Sequence, residues 1–198
     1  MNKELSKAER TRQYIIEATA PVFNKKGYAG TSLSDLTEAT GLTKGSIYGN
    51  FENKEEVALA VFDFNTCRVT DMVERQMAAA ITFYDKLMVY TTVYNDERLA
   101  AHGGCAVLNT AVEADDTNEA LKIKAAQAIL KWKKTIATLI DGGKAAGEFK
   151  NDVNSEQNAL SIIALIEGGV MISKVTNSSH NLQKILNTVE LVINQMKK

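Results

Sequence analysis

Proline occurs once in 198 residues, at Pro21, and the apolar–polar alternation of strands is scarce. Set against long runs rich in Ala, Leu, Ile, Glu and Lys, these shortages argue for an all-helical fold of about nine helices. Cys67 and Cys105 are the two cysteines, far apart and without CxxC spacing. They suggest neither a zinc site nor a disulfide framework, and both are expected to be reduced. Histidine is confined to His102 and His180. No HExxH, GxSxG, P-loop or strand-borne GxGxxG is present, so the chain reads as a non-enzyme with no catalytic residues, cofactor or metal. Glu113, Asp115 and Asp116 read as a solvated turn before a helix rather than a cation site. No stretch approaches the ~20 uninterrupted apolar residues of a membrane span. The opening Met-Asn-Lys-Glu-Leu-Ser-Lys lacks the apolar segment of a signal peptide. The cytoplasm is the expected location, with no membrane partner.

What is present is ample core material: 45% of residues are hydrophobic and 24% charged, enough for one or two small domains. The formal net charge of -1 does not announce a polyanionic partner. Its distribution is uneven, with eight bases against six acids up to Lys54 and a compensating acidic excess beyond. So small a basic excess means few phosphate contacts per subunit, and affinity for a nucleic acid would need two subunits together.

The most informative stretch runs from Thr31 to Lys54. Ser32 is placed to N-cap a short helix with Asp35 as its acidic partner, and Leu33, Leu36 and Ala39 supply an inward stripe. Gly41 stops it in a left-handed conformation, Leu42 turns back into the core, and Thr43 opens a second helix from Lys44 to about Asn50. That helix has little apolar surface beyond Ile47, Tyr48 and the following Phe51, so its exposed side carries its purpose. Thr43, Lys44, Ser46, Tyr48 and Asn50 offer hydroxyls, an ammonium, a phenol and an amide on a surface that Gly45 and Gly49 keep free of bulk. Such a surface fits a major groove, with donors at the helix N-terminus for phosphates and an amide or phenol for base edges.

The run Gly27-Tyr28, Thr31-Ser32, Leu36, Ala39, Gly41 through Tyr48, Phe51 and Asn53-Lys54-Glu55-Glu56 closely resembles the DNA-binding signature of the TetR/AcrR family of bacterial transcription regulators. The resemblance covers the first third of the chain. It implies a three-helix helix-turn-helix domain over 1–52, followed by a helical regulatory domain for ligand binding and dimerisation over 53–198. The expected DNA-binding residues are Thr31, Ser32, Thr43, Lys44, Gly45, Ser46, Tyr48, Gly49, Asn50 and Lys54. Gly49 and Asn50 depart from the aromatic residue and histidine that many members carry, so no relative's half-site carries over.

Around this core motif, Ser6 and Glu9 have capping-box spacing for a first helix through Ile15 and Phe23 to Lys26, bent at Pro21 and ended by Gly27. Lys7, Arg10 and Arg12 sit near its start as candidate phosphate neighbours. Asn53 and Glu56 predict a second capping box, opening an unbroken helix towards Met77. Further segments are predicted over Phe83–Leu99, over Ala106–Ala114, and from Asn118, after a turn and cap at Asp115 to Thr117. The last of these weakens at Gly142-Gly143 and ends near Gly147. Tyr84, Met88, Tyr90, Tyr94 and Trp132, with His102, Cys105, Asn109 and Glu113 as polar anchors, are the candidates for a small-molecule cavity between helices. Core packing is the competing reading for each apolar one.

Two final helices, about Ser155–Val175 and Asn181–Met196, have wide apolar faces with Gly168-Gly169 allowing close approach. Ile162, Ile166, Gly169, Val170, Leu182, Ile185, Leu186, Val189 and Ile193 are the expected homodimer interface, which is also the family's usual architecture. The expected function is a ligand-responsive regulator, a repressor that binds a palindromic operator in double-stranded DNA as a homodimer and is released by a small-molecule effector. Two alternatives stand beside it. One is a helical dimerisation or adaptor protein without DNA binding. The other is a regulator sensing oxidants or electrophiles through Cys105, which follows His102-Gly103-Gly104 at a helix start.

Overall fold

The computed structural model describes residues 5–96 and 101–198. Its helices begin where a side chain satisfies the first backbone donors. Ser6 Oγ accepts from Glu9 N–H at 3.2 Å, and Ser6 N–H donates to the Glu9 carboxylate at 2.7 Å, opening α1 (Lys7–Gly30). Gly27 interrupts α1 with φ +73, so the helical path stops at Lys26 as expected and Tyr28–Gly30 form a further turn. A second capping box, Ser32 with Asp35, opens α2 (Leu33–Thr40), and Gly41 ends it at φ +67. Thr43 Oγ1 accepts from Ser46 N–H to open α3 (Lys44–Tyr48). Each such cap contributes about 1 kcal/mol.

Asn53 Oδ1 accepts from Glu56 N–H at 2.9 Å ahead of α4 (Lys54–Ala79). The reciprocal half of the expected box is absent. Glu56 instead accepts from Glu52 N–H at 2.6 Å and from the Arg12 guanidinium at 2.6 Å, which hold its carboxyl below the usual range. Beyond α4 come α5 (Phe83–Tyr94), α6 (Ala106–Ala114), α7 (Glu119–Ala145), α8 (Ser155–Thr176) and α9 (Ser179–Gln195). The far end of the predicted Phe83–Leu99 segment lies outside the described residues. Asn118, not Thr117, caps α7, accepting from Leu121 N–H at 2.9 Å. Nor does α7 weaken at its glycine pair. A Cβ at Gly142 would stand 2.3 Å from the Phe83 ring and one at Gly143 would stand 2.2 Å from Phe149, so these glycines seat two aromatic rings. Among the described residues there is no strand, only an isolated antiparallel bridge between Phe149 and Lys197.

The chain divides into two compact units, Met1–Cys67 with Ala106–Ala125 and Arg68–Cys105 with Ala126–Lys198. The division falls inside α4 and α7, whereas the sequence reading divides the chain after residue 52. Unit 1 is built on Ile15, Phe23, Leu36, Ile47, Phe51, Val57, Val61, Ala114 and Leu121. In it, α6 and the start of α7 complete the core begun by α1–α4.

Unit 2 centres on Leu87, Val93, Ile136, Ile140, Phe149, Ile162, Ile166, Leu186, Val189 and Ile193. By length and composition α8 would pass for a membrane span, yet one side of it is the core of this unit. Here the expected dimer surface needs correcting. Ile162, Ile166, Gly169, Leu186, Val189 and Ile193 are buried within the single chain, and Val170, Leu182 and Ile185 are half-buried. The periodic apolar face pairs α8 with α9 inside the chain. What α8 leaves exposed is a second stripe of Leu160, Ala164, Met171 and Val175, with Leu191 exposed on α9.

Unit 2 also buries Glu167. Its Oε1 accepts from Cys105 Sγ at 2.9 Å, while its Oε2 has no hydrogen-bond partner among the described residues. Burial pushes this carboxyl up to about 7, against the smaller opposing effect of the Cys105 hydrogen bond. Between about pH 4.5 and 7 the unfolded chain releases this proton and the folded chain keeps it, so stability falls as pH rises through that window. The full cost, about 3 kcal/mol, stands above pH 7. Glu167→Gln is therefore expected to gain on wild type by up to about 3 kcal/mol between pH 4 and pH 8. Urea unfolding at the two pH values measures the difference.

Candidate nucleic-acid interface

The corner of α2 and α3 is held from behind, which leaves its outer side open. Ile47 and Phe51 are at most 2% exposed. The Arg12 guanidinium lies 3.9 Å from the Phe51 ring centroid and donates to the Asn50 carbonyl and the Glu56 carboxylate. Tyr14 Oη donates to the Thr40 carbonyl at 2.8 Å, closing the end of α2 against α1. At the other end Lys26 pairs with Asp35 at 2.5 Å; with the Ser32 bonds this holds the Asp35 carboxyl down at about 2.

The ten expected DNA-binding residues separate into two groups. Ser32, Thr43, Lys44, Gly45 and Gly49 are exposed, and Ser46, Tyr48 and Asn50 are half-buried on the same corner. A Cβ at Gly45 would meet open space, so the surface there is bare backbone. Asn50 is turned along the helix, its Nδ2 donating to the Ser46 carbonyl at 2.9 Å. Thr31 and Lys54 face inward. Thr31 is 1% exposed and its hydroxyl donates to the Gly27 carbonyl at 2.6 Å. Lys54 Nζ donates to the carbonyls of Tyr28 and Thr31 at 2.8 and 3.0 Å and lies 4.3 Å from the Tyr28 ring centroid. Both are braces of the corner. Arg12, a candidate phosphate neighbour by sequence, is a brace as well. A hydroxyl or a cation serves a buried carbonyl as well as a phosphate, and residue type alone does not separate the two uses.

The candidate ligand residues also disperse. In unit 2 a cavity of about 440 Å³ is lined by Val69, Tyr94, Cys105, Val170, Lys174 and Leu182, with further polar residues at the end of α8 and the turn that follows. Of the nine candidates, Tyr94 and Cys105 reach it. Tyr94 stacks on Trp132 at a centroid distance of 5.3 Å and Tyr90 lies 5.9 Å from the same ring, as core. Burial raises both phenol pKa values. Tyr84 and Met88 pack against that core, and His102 lies half-buried in the turn before Gly103. Asn109 and Glu113 belong to unit 1, where both hydrogen-bond to α1. Sequence reading misses Lys174 and Ser173, whose only signal is the polar cluster Ser173 to Ser179 between two apolar helices.

An exposed helical corner with cap hydroxyls, a lysine and bare glycine backbone is the arrangement by which a short helix enters a major groove. Comparison with known proteins agrees with it. Residues 15–61 match the family model described as bacterial regulatory proteins, tetR family, and residues 85–189 match the tetracyclin repressor-like C-terminal domain. A TetR-family transcriptional regulator from Cytophaga hutchinsonii is 50% identical, with a TM-score of 0.94 over 98% of both chains. One from Chloroflexus aurantiacus is 36% identical, with a TM-score of 0.91 over 98% of both. The transcriptional repressor DhaR of a Mycobacterium species is 25% identical over 182 residues, 90% of this chain and 89% of its own. These relatives are transcription regulators and not enzymes. The capped corner, the helical architecture and the matches along both halves of the chain make it a member of the TetR family of bacterial transcriptional regulators, proteins that bind DNA through a helix-turn-helix.

Proposed function

We propose that this regulator is a cytoplasmic, ligand-responsive repressor that binds a palindromic operator as a homodimer and leaves it when a small molecule fills the unit 2 cavity. The observation that carries the reading is the outer side of α3, where Thr43, Lys44, Ser46 and Tyr48 surround bare backbone at Gly45. Ser32, Thr43 and Lys44 contact phosphates; Ser46, Tyr48 and Asn50 reach base edges, Asn50 by leaving the Ser46 carbonyl. Likeness to a repressor supports repression.

Dimerisation rests on the exposed stripe Leu160, Ala164, Met171 and Val175, spaced by four, seven and four along one side of α8. Between Ala164 and Met171 a Cβ at Gly168 would meet nothing within 4 Å, a shallow place where a second helix approaches closely. Two copies pair across this stripe and Leu191, and an operator read on successive major grooves calls for two copies of α3 roughly 34 to 36 Å apart. Occupancy of the cavity favours another tilt of α4, which runs without proline or glycine from Lys54 to Ala79, and a coupling of about 1 to 3 kcal/mol is enough for release.

A second reading is favoured by Cys105 on the cavity wall, whose thiol donates to Glu167 behind it. A soft electrophile is the signal: the thiol sulfur forms a bond to its carbon, the leaving group departs with the bonding electrons, and the thiol proton passes to Glu167.

Selection from a random duplex pool is expected to enrich a palindrome. On that duplex Lys44→Ala lowers affinity about tenfold on every sequence and reduces the salt slope by about one per subunit, while Tyr48→Ala relaxes preference at particular positions by about 1 to 3 kcal/mol. Equal losses from both variants on all sequences would refute these roles, and absence of any enrichment would favour the adaptor alternative. Val175→Glu is expected to convert a dimer into a folded monomer in analytical ultracentrifugation, because each copy would bury an unpaired carboxylate in the apolar stripe. Iodoacetamide is expected to release the operator from wild type and Cys67→Ser but not from Cys105→Ser; equal release from all three would remove the thiol reading.

A further inference from the structure

The break in α1 leaves half-made helical bonds, and α6 completes them. In an unbroken helix the N–H groups of Tyr28 and Ala29 would donate to the carbonyls of Asn24 and Lys25. With Gly27 at φ +73 they point instead to Glu113, whose Oε2 and Oε1 accept them at 2.7 Å each. The Asn24 carbonyl accepts from Asn109 Nδ2 at 3.0 Å. Asn109 and Glu113 are four residues apart on α6 and so share one face. A Cβ at Gly27 would lie 2.4 Å from Glu113 Oε2, so the carboxylate fills room that only glycine leaves there. The carbonyl side of the same joint is taken by Lys54 Nζ, at Tyr28 and Thr31, and by the Thr31 hydroxyl, at Gly27.

We propose that Glu113 is a positioning residue for DNA recognition: it splices the broken α1 and so holds the joint at residues 27–31 in the backbone conformation from which Ser32, α2 and α3 meet the duplex. The inference rests on DNA binding by the corner. It gives a carboxylate remote in sequence, on a helix away from the corner, control of the angle at which α3 is presented. A charged acceptor suits this task, because two amide donors converge on it and no backbone carbonyl offers two such oxygens at that spacing.

The test uses full-length protein, the duplex selected from the random pool, and hydrogen exchange followed by mass spectrometry. Glu113→Gln keeps the shape but puts an amide NH₂ against one of the two donors. It is expected to speed exchange in the peptide covering Tyr28 to Ser32 at least tenfold and to lower duplex affinity at least tenfold, with exchange in α4 and α7 and the helical dichroism unchanged. Glu113→Asp, which retains the charge on a shorter arm, recovers part of the affinity. Val112→Ala, at an exposed neighbour on the same helix, changes neither readout. Faster exchange without loss of affinity would make Glu113 a purely structural tie and overturn the proposal, as would unchanged exchange. If Glu113→Gln does not fold, Glu113→Asp decides through the same two readouts. A wild type that binds no duplex would defeat the DNA reading itself, and exchange at Tyr28 to Ser32 would still show whether the splice exists.

Discussion

A five-residue helix does not hold itself together in water, because the entropy of forming its first turn is never recovered by so few hydrogen bonds. The short α3 exists only through what binds it from behind: the full burial of Ile47, the near-full burial of Phe51, and the Arg12 guanidinium that stacks on Phe51 while capping the Asn50 carbonyl. Everything else in unit 1 follows from that dependence. To deliver Arg12 to the end of α3 and Tyr14 to the end of α2, α1 must run alongside them, and to feed the chain into α2 it must then break sharply. The break at Gly27 frees polar backbone groups, and side chains from α4 and α6 take them up.

Several charges of unit 1 are turned to the scaffold. Arg12, Lys26, Lys54, Asp35, Glu56 and Glu113 all bond to backbone groups or to each other. Several cations of a DNA-binding unit are thereby committed to the scaffold rather than to a partner. Exposed ion pairs stabilise little on their own. Here the important ones are anchored by a ring face or a backbone amide, which fixes geometry as much as it adds energy.

Much of this fold could be read from short-range chemistry. Ser6–Glu9, Ser32–Asp35 and Thr43–Ser46 are contacts across three residues, and Gly41 needed its left-handed backbone locally, so all were visible in the sequence. What could not be read was the choice between equivalent partners. Lys54 facing carbonyls, Thr31 turned to Gly27 and Glu56 drawn to Arg12 rather than to its own cap depend on segments brought together only by folding. Glu113, 84 residues from the amide it caps, had no local signature, and its acidic neighbours Asp115 and Asp116 disguised it as part of a solvated turn. The last two helices misled for another reason. With apolar residues on two sides of α8, periodicity identifies both faces but not which of them the same chain covers.

The outward residues of α3 make none of the contacts that hold the corner in place, apart from the cap at Thr43. Lys44, Gly45 and Tyr48 are bound to the scaffold only through the backbone and, for Tyr48, partial packing. Replacing Lys44 or Gly45 costs little folding free energy, so under the proposed recognition by α3 the target could change while the domain stays folded. On that proposed reading, specificity and foldability sit on different residues: the outward side of α3 is open to change, and the inward braces of α1, α4 and α6 are not.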